Sequence, residues 1–96
     1  MSSEFSASRP NLIESTSGFA VEVLGRTGMR YTEGGRSLFV DSEVLAKPGA
    51  MALYSSSIKA WDAPHENEAI TDDDRSRIID NIGRAFASKG YELEVI

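Results

Sequence analysis

The side chains with most scope for chemistry fall between Ser57 and Asp74, a stretch reading SIKAWDAPHENEAITDDD. It holds the only tryptophan, Trp61, and the only histidine, His65. Glu66, Glu68, Asp72, Asp73 and Asp74 then place five acids and no base within nine positions. Carboxylates gathered round an imidazole are what a hard cation would use. One His and no Cys fall short of a zinc ligand set, and the acids lack the glycine-punctuated spacing of a calcium loop. They are expected to be solvated loop and helix-start residues, with no metal and no cofactor.

Covalent and acid–base chemistry find no better footing. No serine sits in a G-x-S-x-G elbow, and Ser55-Ser56-Ser57 reads as strand-edge or turn material. Asp41 and Glu43 are close enough for acid–base work but flank no evident pocket. Glycines 25, 28, 34 and 35 precede strand-like patterns, whereas a phosphate cradle opens a helix. No catalytic residue is expected, so the chain reads as a binder and not an enzyme.

For binding, the acidic run has two readings. It is a loop plus a well-charged helix start, or an anionic contact surface for a basic partner, with Glu66, Glu68, Asp72 and Asp73 as its residues. Trp61 is likewise either a plug at the edge of the core or an exposed interface anchor, with Tyr54 as its companion. A net charge of −5, from 15 acids and 10 bases, argues against nucleic acid and anionic membranes as partners. It leaves a basic protein partner open.

These residues need a scaffold, and 96 residues suffice for one domain. The first 17 residues, with six serines, read as a flexible tail outside a domain of residues 18–96. No stretch approaches the ~20 apolar residues of a membrane span, and the N-terminus lacks the pattern of a secretory signal. Without cysteine, the domain is held by packing alone, which suits a reducing cytoplasm.

Period-two alternation predicts strands from Phe19 to Leu24, from Met29 to Glu33, and from Arg36, with a bulge or break at Asp41-Ser42-Glu43. Gly34-Gly35 predicts a tight hairpin turn. Lys47-Pro48-Gly49 predicts another turn before a strand from Ala50 to Tyr54, which Ser55 to Trp61 could extend. Thr71 predicts a helix cap, followed by a helix from about Asp72 to Lys89. Its apolar stripe is Ile78, Ile79, Ile82, Ala85 and Phe86, with Asp73–Arg77 and Asp80–Arg84 as surface ion pairs. Gly90 closes it, and Tyr91 to Ile96 returns as a last strand. The expected fold is α+β: an antiparallel meander of about four strands, one helix packed on it, and a final strand.

Ser57-Ile58-Lys59-Ala60-Trp61-Asp62-Ala63-Pro64 stands between Gly25-Arg26-Thr27-Gly28, Tyr31 and Asp41-Ser42-Glu43 upstream and Arg77-Ile78-Ile79-Asp80-Asn81-Ile82 and Gly90 downstream. In this order and spacing, residues 18–96 resemble the immunity protein 74 family of bacterial polymorphic toxin systems. The resemblance implies a cytoplasmic protein that binds and neutralises a cognate toxin, and it brings no active site with it. The alternative from a different class is a structural interaction domain, a monomer or homodimer with no toxin partner.

Overall fold

Alternating side chains, short glycine turns and one capped helix produce a curled seven-stranded sheet with a helix across one face. The structure, a computed structural model, describes residues 4–96. In chain order the strands are β1 (Phe5–Arg9), β2 (Leu12–Ser15), β3 (Phe19–Val23), β4 (Thr27–Glu33), β5 (Arg36–Val44) and β6 (Ala50–Leu53). Helix α1 (Asp72–Ser88) and strand β7 (Glu92–Val95) follow. Each strand pairs with the next, antiparallel from β1 to β6. β7 pairs parallel to β6 because the chain reaches it by crossing the sheet as a helix.

The α+β class therefore stands, but the meander has six strands where about four were expected. The two extra strands lie in the segment expected to be a flexible tail. Residues 5–15 form a hairpin in which Ile13 is buried and pairs with Val21, and the ring of Phe5 meets Phe19 edge-on at 5.9 Å. Of that expected tail, residues 1–3 lie outside the described residues.

β4 and β5 are joined at Gly34 and Gly35, whose φ values of 56° and 81° are those of the tight hairpin turn the sequence predicts. No break occurs at Asp41-Ser42-Glu43. β5 runs on through it, and the expected bulge is there: between the pairs Met29–Val40 and Thr27–Glu43, β5 carries one residue more than β4. Pairing with β6 on the other side carries the strand through the bulge, with Ser42 buried and Asp41 and Glu43 facing outward.

β6 stops at Leu53, and Ser55–Ser57 form a 3-10 turn where a strand extension was expected. The chain nevertheless stays beside β5. Tyr54 N–H donates to Asp41 O at 3.0 Å, Ser57 Oγ accepts from Asp41 N–H at 2.9 Å, and Asp62 N–H donates to Ser37 O at 2.7 Å. These bonds occupy the edge of β5 that β6 is too short to cover.

The core lies between the inner sheet face and α1. Val21, Met29, Tyr31, Leu38, Val40 and Leu53 face Ile78, Ile82, Ala85 and Phe86, and Ile58 and Trp61 close one end. The expected helical stripe is buried apart from Ile79, which is partly buried. One polar device crosses the core: the Tyr31 hydroxyl donates to Glu33 Oε1 at 2.6 Å and accepts from Asn81 Nδ2 at 2.9 Å. Burial and the Glu33 carboxylate push this phenol far above its ordinary value.

Candidate functional site

The acidic end of the molecule is built by the start of α1 and the loop before it. Thr71 caps the helix by accepting from Asp74 N–H at 3.0 Å, and Asp74 Oδ2 accepts in return from Thr71 N–H at 3.0 Å. This reciprocal capping box satisfies two orphan donors and fixes where the helix begins. Asp72 and Asp73 follow the cap, both exposed, where the helix dipole favours negative charge.

The expected i,i+4 pairs do not form. Arg77 turns back to Asp74 at 2.8 Å and reaches across to Glu33 on β4 at 2.9 Å, while Arg75 pairs with Asp72 at 2.7 Å and Arg84 pairs with Glu4. Glu33 outcompetes Asp73 because its bidentate contact gives Arg77 two bonds, and Glu4, just before β1, takes Arg84 in place of Asp80.

Asp74 is the acid most altered by this arrangement. The Thr71 backbone N–H, then the Arg77 guanidinium and the Thr71 hydroxyl, pull its carboxyl from the ordinary 3.8 down to about 2. Because the folded value is the lower one, its contribution to stability is complete above pH 3.8 and is lost as pH falls toward about 2. Asp74→Asn is expected to flatten that part of the acid limb, read as urea midpoints between pH 5 and 2.

The preceding loop is tied at its base by an Ala60–Ala69 bridge. Inside it Glu68 is fully engaged: Oε2 accepts from His65 Nδ1 at 2.5 Å, and Oε1 pairs with Arg36 at 2.6 Å. His65 and then Arg36 hold its carboxyl below the ordinary range. Arg36 in turn lies over the Trp61 ring, 5.9 Å from its centroid. Asp62 is held on the other side by Arg30.

The six residues expected to form a contact surface thus separate into four groups. Glu66, Asp72 and Asp73 are exposed at the loop and helix start, and among the described residues neither Glu66 nor Asp73 makes an ion pair. Glu68 is committed to holding the loop on β5. Trp61 is only 4% exposed, so of its two readings the plug at the edge of the core fits this fold and the exposed anchor does not. Its indole is covered because Arg36 and the loop close over it. Tyr54 stands apart from this group, its hydroxyl donating to Glu43 Oε2 at 2.9 Å, with that carboxylate pushing the phenol up.

Among the large apolar side chains that are exposed, Val44 and Tyr91 lie at the end of the molecule where α1 stops. Gly90 takes φ of 74° and lets Gly90 N–H donate to Ala87 O and Tyr91 N–H to Phe86 O, the two bonds of a Schellman closure. The same motif sets Tyr91 edge-on against Phe86, with ring centroids 6.1 Å apart. Beside this pair an open cavity of about 250 Å³ reaches across the sheet ends to Ile13, Val23, Val44 and Met51. The sequence offers its floor as ordinary core residues; only the closure at Gly90 signals that the helix ends before covering them.

Among the described residues no three His, Asp or Glu side chains converge on a cation position, and no helix is long and apolar enough to cross a membrane. Comparison with curated proteins and with solved structures yields no match. The family model of immunity protein 74 matches residues 20–96, from β3 to the last residue. With that match running through the meander, the capped helix and the returning strand, the chain belongs to the immunity protein 74 family.

Proposed function

We propose that this chain is a non-enzymatic immunity protein that acts in the bacterial cytoplasm, binding a cognate polymorphic toxin and blocking it by direct contact. The observation that carries the reading is the family match over residues 20–96. The acidic end supports a toxin with a basic face. Glu66, Asp72 and Asp73 are exposed, and their charge meets a partner without first breaking buried structure. Glu68 contributes indirectly by holding the loop in place.

Co-expression with the product of a neighbouring toxin-like gene tests this. Growth is expected to be restored by the wild-type chain, and the two proteins are expected to co-purify. Glu66→Lys, Asp72→Lys and Asp73→Lys together are expected to weaken binding roughly tenfold or more, mainly through slower association. Protection and affinity unchanged by all three reversals would sink the acidic contact; a toxin that kills despite the wild-type chain would sink the immunity reading itself.

A further inference from the structure

The cavity beyond the end of α1 has the attributes of a contact site. Of the residues that line it, Val44 is 50% exposed and Tyr91 47%. Two of the large apolar side chains left open to solvent therefore meet at this cavity. Apolar area kept exposed beside a concavity is a liability unless something covers it.

The lining restricts what that occupant is. Small-molecule sites usually run from about 300 to 1,000 Å³ and carry several polar groups that orient the ligand. This cavity is smaller, at about 250 Å³, and the Asn11 amide on its wall has one N–H engaged by Val23 O at 3.1 Å. The charged group on its rim is Lys89, which is exposed and makes no ion pair among the described residues. Arg26, also without an ion pair, lines an adjoining depression that shares Val44. Lys47 nearby is committed to Glu92 at 2.8 Å, which cancels the acid closest to Tyr91 in sequence. An apolar hollow with uncancelled positive charge at its edge suits a bulky apolar side chain flanked by a carboxylate.

We propose that this cavity is the apolar anchor point for the toxin, receiving a large aliphatic or aromatic side chain from a segment that also carries an acidic residue for Lys89. The assignment rests on the immunity reading and gives it the hydrophobic anchor that buried Trp61 cannot supply. It is compatible with the acidic contact at the other end of α1. Seventeen residues of helix span about 25 Å, and a standard interface of roughly 800 Å² per partner is about that wide.

The test has two arms. In the first, anilinonaphthalene sulfonate, an aromatic anion, is titrated into the free protein. Val44→Asp and Lys89→Gln are each expected to lower its affinity by about fivefold or more, with thermal melting of both variants close to wild type. In the second, the same variants are measured against the toxin recovered by co-expression, with a similar loss expected. Unchanged affinity in either arm overturns the anchor site. So does a wild-type homodimer that Val44→Asp dissociates, since a second copy would then be the occupant. A wild-type protein that binds no toxin at all would instead overturn the functional reading.

Discussion

Trp61→Ala is expected to lower the unfolding free energy by about 3–5 kcal/mol, the cost of emptying a large aromatic site in a packed core. Small domains are stable by roughly 5–15 kcal/mol in all, so the variant should sit near its folding threshold. The reason is positional. The indole is buried at one end of the sheet–helix core, and Arg36 lies on its ring while holding Glu68. Removing the ring therefore takes away packing and a support of the acidic loop together. Urea unfolding gives the stability, and binding of folded variant to toxin at low temperature gives affinity. A large loss of stability with toxin affinity changed less than about threefold marks Trp61 as a core residue. Near-wild-type stability with lost affinity would make it an interface residue instead and would contradict its burial.

That experiment separates two readings that the sequence leaves open. A lone Trp after a strand is compatible with either, because whether it is covered depends on a distant element. Here the covering residue is Arg36, 25 positions earlier in the chain and at the far end of a hairpin. The acids behave in the same way. Glu68 looks as free as Glu66 in sequence, yet His65 and Arg36 take up both of its oxygens. Arg77 has an available partner at Asp73, but the sheet brings Glu33 to it from 44 positions away. Local spacing predicts which pairs are within reach and is silent on competitors that arrive through tertiary packing.

What the sequence carries well is local and repetitive. The helix is legible because Thr71, the following acids, the apolar stripe and Gly90 all agree on its limits, and the observed span differs by a single residue at the C-terminal end. β3 and β4 are legible from strict alternation, and the turn between β4 and β5 from two consecutive glycines. β1 and β2 are not. Their sequences, FSASR and LIES, hold three large apolar residues between them, because an edge hairpin needs few inward side chains. The family match also starts at residue 20, inside β3, so it says nothing about this hairpin.

Removing residues 1–17 is accordingly expected to lower the melting temperature by roughly 8–16 °C or more. Loss of the buried Ile13 alone accounts for at least about 2 kcal/mol, at 4–8 °C per kcal/mol in a domain of this size. A flexible tail would cost nothing. The truncation also exposes the pairing edge of β3 and uncovers Phe19, which Phe5 now touches. Differential scanning calorimetry of the two proteins decides the matter, and a shift within about 2 °C would show that the hairpin contributes no stability. The hairpin also supplies Pro10, Asn11 and Ile13 to the wall of the apolar cavity. Binding of the aromatic sulfonate to the truncated protein, measured well below its melting point, is therefore expected to fall along with stability. Strands that the family match does not reach would then shape the surface proposed for toxin contact.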